Sequence, residues 1–233
     1  MTGAMITRCR FCVFTAILLI VSAELTEANA QSRPRLRTTK PSPSQSVSIG
    51  GYAMFGRINF TAAESFDAIL GAPSGPLAGG GVRVGLPWYG LFADVGAWRF
   101  RAEGERAFVF NNEVIPLGIP VEVSVVPIEI SVGWRARLRK LPKLVPYAAV
   151  GLTSLKYRET SESSTPAENV DERFGGYHVL GGAEYKIIRW LGVAGEVAWT
   201  TVPDAIGESG VSRAFGETDL GGTTLRVKIT IGR

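Results

Sequence analysis

The chain carries a single histidine, His178, and two cysteines, Cys9 and Cys12. A histidine becomes a general base when a carboxylate orients it, and Glu184 or Glu196 could serve His178 in that way. No motif places an activated nucleophile beside it, so the expected role is a hydrogen-bonding histidine in the interior or at its rim. One histidine and no cysteine beyond residue 12 leave too few soft ligands for a metal cluster. The glycine run Gly79-Gly80-Gly81 lies in a strand-like stretch with no helix after it. It is therefore not a phosphate loop, and its use is close packing or strand curvature. No catalytic residue, metal or cofactor is expected, and the chain does not read as an enzyme.

What remains is charge. Ten ionisable residues fall on one parity of successive strand-like runs: Arg57, Arg83, Asp94, Glu129, Arg135, Glu184, Lys186, Glu196, Arg226 and Lys228. Side chains alternate with period two in a strand, so these residues share one face. Six are basic and four acidic. If that face is enclosed, its charges must be paired, which predicts a salt-bridged network across an interior.

The elements that would position this network are strands. From Val47 onward no segment shows a convincing helical period, and about eight alternating runs are separated by turn signals. They span roughly 47–61, 77–86, 89–101, 121–138, 145–158, 174–188, 191–202 and 220–233, with a hairpin extension over 103–118. The fourth run changes parity: Glu122 and Ser124 oppose Glu129, Ser131, Arg135 and Arg137. A one-residue insertion flips every later side chain and proline belongs at bulges, so Val125-Val126-Pro127 predicts a β-bulge. The last run is the cleanest, with Leu225, Val227, Ile229 and Ile231 on one face and Thr224, Arg226, Lys228 and Thr230 on the other.

Connections alternate in length. Those at 62–76, 102–118, 159–173 and 203–217 are long and polar; those after the second, fourth and sixth runs are tight. This is the pattern of an even-stranded antiparallel barrel with short periplasmic turns and long outer loops. A narrow conducting pore and a soluble lipocalin-like binder use similar alternation, the latter with the charged face outside. Strand lengths near ten and the loop asymmetry favour the inverted case, in which the apolar face, carrying Tyr52, Tyr89, Tyr177, Tyr185 and Trp199, meets lipid.

The first thirty residues read as a secretory signal peptide. Arg8 and Arg10 precede an apolar core at 11–23, and Ala28-Asn29-Ala30 supplies a cleavage site between Ala30 and Gln31. The expected mature chain lacks cysteine. Residues 31–46 contain Arg33, Arg35, Arg37 and Lys40 among prolines and serines, and predict a flexible basic tether. This segment accounts for the whole formal net charge of +4, since the leader's two arginines balance Glu24 and Glu27. Residues 47–233 are therefore neutral overall, which argues against nucleic acid as a partner.

The leader, the eight runs and the loop alternation over 47–233 resemble the small outer-membrane β-barrels, the class of the OmpA transmembrane domain and the OmpW-like and opacity-antigen-like proteins. That resemblance implies an all-β, eight-stranded antiparallel up-and-down transmembrane barrel in the outer membrane of a diderm bacterium. It implies outer-membrane lipid and the barrel-assembly machinery as partners, and a possible extracellular ligand held by the loops. In that class the final strand ends in an aromatic residue read by the machinery. Here Leu225, Val227, Ile229 and Ile231 match the frame, and Arg233 stands in the aromatic's place. Lipid A deacylases, which share the barrel, carry a His-x-Ser pair; His178 is followed by Val179 and Leu180.

Overall fold

The computed structural model describes residues 47–110, 113–161, 169–208 and 210–232. The expected signal peptide, its cleavage site at Ala30 and Gln31, the tether and Arg233 lie outside the described residues. Eight antiparallel strands close on themselves in chain order. They are β1 (Ser48–Phe60), β2 (Ser74–Gly85), β3 (Leu91–Phe110), β4 (Glu113–Arg135), β5 (Leu144–Thr160), β6 (Val170–Lys186), β7 (Leu191–Thr201) and β8 (Gly222–Gly232). Closure joins β8 to β1 from Gly50 opposite Gly232 to Phe60 opposite Gly222, so the lower barrel has no open edge.

Two helices that the sequence pattern does not announce occupy the outer connections. Helix α1 (Ala63–Leu70) follows β1, and α2 (Gly210–Phe215) precedes β8. The apolar spacing Phe66, Ile69, Leu70 is helical, but one amphipathic turn pair inside a polar stretch is too short to register as a period. The α1 N-terminus is capped from the other connection: the Glu217 carboxylate accepts the backbone N–H of Glu64 at 3.1 Å and of Ser65 at 2.8 Å. Gly71, at φ 70°, ends the helix in the left-handed conformation.

Strand lengths differ sharply. β1, β2, β7 and β8 have 11 to 13 residues, close to the roughly 9–11 that a tilted membrane-spanning strand needs. β3 to β6 have 17 to 23 and continue well past the same level. The barrel wall is thus tall on one side only, and α1 and α2 pack against β3 where the wall is low opposite them.

The faces invert along the strands. In the half nearer the short turns, charged residues point inward and the exterior row runs Val82, Val95, Ile130, Leu152, Tyr177 in direct register. In the far half the outward residues of β3 become Arg99, Arg101, Glu103 and Glu105, while Phe100, Val121, Val123, Val125 and Leu155 are buried. This replaces the predicted bulge. β4 keeps one register with β5 through Val125, Val126 and Pro127, opposite Tyr157, Lys156 and Leu155. The polarity changes because the solvent outside changes from hydrocarbon to water; the backbone does not slip. The irregularity lies higher, between Glu105 and Ala107.

The glycines of β2 allow close packing. A Cβ on Gly81 would collide with the Tyr52 hydroxyl and the Val95 carbonyl, and one on Gly79 with Trp98 and the Ala97 carbonyl.

Candidate functional site

Two constellations could do chemistry: the ion cluster in the lumen and an apolar cavity above it. In the lumen, Arg226 of β8 reaches across to Glu129 of β4 in a two-pronged pair, both contacts at 2.7 Å. Its Nη1 also lies 3.5 Å from Glu196 of β7, and its Nε donates to Thr224 at 2.9 Å. Lys228 donates to Glu196 at 2.6 Å, and the Tyr147 hydroxyl donates to the same carboxylate oxygen at 3.0 Å. Trp98 Nε1 completes the shell of Glu129 at 2.8 Å. Nearer the short turns, Arg83 donates to Asp94 at 2.8 Å and the Tyr52 hydroxyl to the other oxygen at 2.6 Å. Arg135 and Glu184 pair at 2.6 Å near the rim.

These groups are sealed. Glu196, Arg226 and Lys228 are each 1% exposed. Aromatic rings cushion the cations: the Arg83 guanidinium lies 4.5 Å from the Phe92 ring and 4.6 Å from Tyr147, and Lys228 Nζ lies 4.4 Å from Tyr52. Four cations (Arg83, Arg135, Arg226, Lys228) meet four anions (Asp94, Glu129, Glu184, Glu196), so the cluster is neutral as a whole. That balance is what makes burial tolerable, since an unpaired ion here would keep its full desolvation cost.

Two of the ten residues expected in the lumen are elsewhere. Arg57 points outward from β1 and donates to Ser74 Oγ at 2.8 Å. The inward face of β1 is instead Tyr52, Met54, Ile58 and Phe60. The outward parity of β1 is apolar at Ile49 and Phe55 and polar at Arg57 and Asn59, so Arg57 stands at the upper end of the strand, where the exterior turns polar. Lys186 ends β6 and is exposed at the rim. Tyr52, expected to face lipid, is inside, and Tyr89 lies in the β2–β3 turn at φ 47°. Tyr177, Tyr185 and Trp199 do face outward, and Tyr177 and Trp199 meet edge to face at 6.2 Å.

His178 is buried on β6. Its Nε2 is 2.8 Å from Ser131 Oγ and its Nδ1 is 2.8 Å from Thr153 Oγ1. The ring is thus held between two hydroxyls, and its hydrogen-bond partners are neither Glu184 nor Glu196. A serine beside a histidine can be a nucleophile, but Ser131 is 3% exposed and His178 2%, so no substrate reaches them. Ser131, Thr153, Tyr52, Tyr147 and Trp98 were invisible as partners in the sequence. Hydroxyl, phenol and indole groups carry no periodic signal, although each sits on the inward parity.

Above the cluster the interior turns apolar. Phe60 stacks on Phe66 at 3.8 Å, and Phe100 meets Phe60 edge-on at 5.0 Å. Beside this core lies a cavity of about 470 Å³, walled by Phe66, Ile69, Leu70, Val123, Phe174 and Leu220. Its rim carries Glu159, Glu172, Asp204 and Glu208 together with Arg106. Arg106 and Glu159 are 3.6 Å apart.

An apolar exterior band on a closed barrel is what a lipid-embedded strand protein requires. One solved structure shares this architecture. The major outer-membrane protein of Thermus thermophilus superposes at a TM-score of 0.52 and 13% identity, over 81% of this chain and 100% of that one. This is the fold of a small outer-membrane β-barrel. Neisserial surface protein A (TM-score 0.49, 10% identity, 79% of this chain and 96% of that one) and OprG from Pseudomonas aeruginosa (0.45, 13%, 80% and 92%) also match. No family model and no curated protein sequence matches the chain.

As an outer-membrane barrel, the molecule has the start of β1, the end of β8 and the three short turns at the periplasmic end. The tall wall β3–β6, the two helices and the cavity stand on the outer side. Leu225, Val227, Ile229 and Ile231 face outward on β8, in the lipid band.

Proposed function

We propose that this outer-membrane barrel does not conduct and that its work is done by the half that projects outward. The observation that carries this is the mid-lumen cluster of Glu129, Arg226, Glu196 and Lys228, which spans the barrel from β4 to β7 and β8 with no member more than 4% exposed. An eight-stranded barrel is just wide enough for side chains to fill it. The cluster uses that width for neutral pairs. The expected result in planar bilayers is an absence of steady openings from the refolded protein. Sustained ohmic steps that change with Glu196→Gln would favour a narrow pore instead.

A binding role for the outer end has its own support in the 470 Å³ cavity, whose size falls in the range of about 300–1,000 Å³ typical of small-molecule sites. Apolar walls beneath four rim carboxylates suit a compact amphiphile with a cationic head. A fluorescent naphthyl amine should bind saturably to the protein in non-ionic detergent, and Leu70→Trp, which fills the cavity, should abolish saturation. Unchanged binding in that variant rejects the assignment.

His178 is read as a structural bridge between Ser131 and Thr153, not as a base. The alternating outward residues Leu225 to Ile231 are proposed as the segment recognised by the barrel-assembly machinery, after removal of the leader at Ala30.

A further inference from the structure

On the outer surface, charge is lopsided just above the apolar band. Lys156 of β5 stands directly opposite Arg173 of β6, and Val126 of β4 is opposite Lys156 on its other side. Arg99 of β3 lies between the paired positions Ala97 and Phe100, which brings it beside Val126. One row across four strands thus holds three cations and no carboxylate. The next row holds Arg101, Ser124, Arg158 and Asp171. Acids become common only in the third, where Glu103 faces Glu122. Immediately below the first row the exterior is Ala97, Ile128, Ser154 and Gly175, which carry no charge.

The acids present do not neutralise this face. Asp171 is shared, 3.0 Å from Lys156 and 2.7 Å from Arg158. Hydrogen bonds from Arg158 and then Lys156 hold its carboxyl below the usual range, so it stays ionised. Arg101 is taken up by Glu122. Among the described residues, Arg99 donates only to Ser124 Oγ, at 3.2 Å, and Arg173 makes no ion pair. Like charges directly opposed on neighbouring strands destabilise a sheet; Asp171 offsets Lys156 but is not bonded to Arg173, so a further anion beside Arg173 would relieve the remaining repulsion. A surface hollow of about 200 Å³ is lined by Arg99, Ser124, Val126, Lys156 and Arg158.

We propose that this face binds the phosphate groups of a phosphorylated saccharolipid of the outer leaflet, with Arg99, Lys156 and Arg173 as its contacts. Such a lipid has acyl chains beside the apolar row and phosphates one row higher, and that is the order in which this exterior presents hydrocarbon and then cations. A planar guanidinium also matches phosphate in a two-pronged geometry. The proposal rests on the outer-membrane placement and is independent of whether the lumen conducts.

The test uses the folded barrel in a non-ionic detergent, titrated with bisphosphorylated lipid A and with the same lipid after its phosphates are removed. The phosphorylated form should bind at least about tenfold more tightly at moderate salt, and the preference should fall as salt rises. The triple variant Arg99→Gln, Lys156→Gln, Arg173→Gln should bind both forms equally. All three side chains lie on the outer surface, so heat-modifiable gel mobility should remain as in the parent and certify folding. Equal binding of both lipids by the parent, or retained preference in the folded triple variant, overturns the proposal. Competition by inorganic phosphate at concentrations matching the lipid would also overturn it, by marking a free-anion site. If the triple variant does not fold, single Arg173→Gln, which removes the cation without an ion pair, should still weaken the preference severalfold; no change in it counts against the site.

Discussion

Arg226→Met should lower the stability of the folded barrel by about 3–5 kcal/mol, the range for breaking a buried ion pair from one side. The substitution keeps much of the side-chain volume and removes every donor. Glu129 would keep only Trp98 Nε1, and Glu196 only Lys228 and Tyr147. A carboxylate 4% exposed, without its counter-ion, must either remain charged at full desolvation cost or take up a proton. The double variant Glu129→Gln, Arg226→Met should recover a large part of that loss, because the orphaned charge is gone. Urea titration followed by the shift between folded and unfolded gel mobility measures both. A single variant that unfolds at the parent's urea concentration would show that the cross-lumen pair does not hold the barrel.

The second large effect concerns the level at which the faces invert. Val95 and Glu103 lie on the same outward face of β3, but Val95 sits in the lipid row with Val82 and Ile130, and Glu103 stands above the charged rows. Val95→Arg should cost about 2–4 kcal/mol, as for a cation near the bilayer midplane, whereas Glu103→Arg should cost close to nothing. The same urea assay in phospholipid vesicles compares them. Equal costs at the two positions would mean that the membrane boundary does not fall between them.

Much of the barrel was legible because strands repeat every two residues and the charges of β7 and β8 obey that period without interruption. Glu196, Arg226 and Lys228 all face inward as their parity requires. Arg57 and the supposed bulge at Val125-Val126-Pro127 mislead for one shared reason. Reading parity as polarity assumes one solvent along the whole strand, but the upper end of β1 and the upper halves of β3 to β6 pass from hydrocarbon into water, and there the outward side turns polar. Once Arg99 and Arg101 are seen opposite Phe100 in the upper part of β3, the same residues become the expected pattern of a water-exposed wall. The partners of the charges were not legible. Which carboxylate meets Arg226 depends on the barrel's stagger, which no local pattern encodes, and the choice of Glu129 on a strand 97 residues away follows only from closure.

That dependence on closure has a kinetic meaning. β8 supplies Arg226 and Lys228, and its pairing with β1 is the contact that closes the barrel. Until that seam forms, Glu129 faces the nascent lumen without Arg226, whereas Glu196 already meets Arg226 across the β7–β8 pair. Water can remain among them only while the wall is open. Sealing the seam and neutralising Glu129 are therefore one event, so a partly zipped barrel should be a short-lived species and not a resting intermediate.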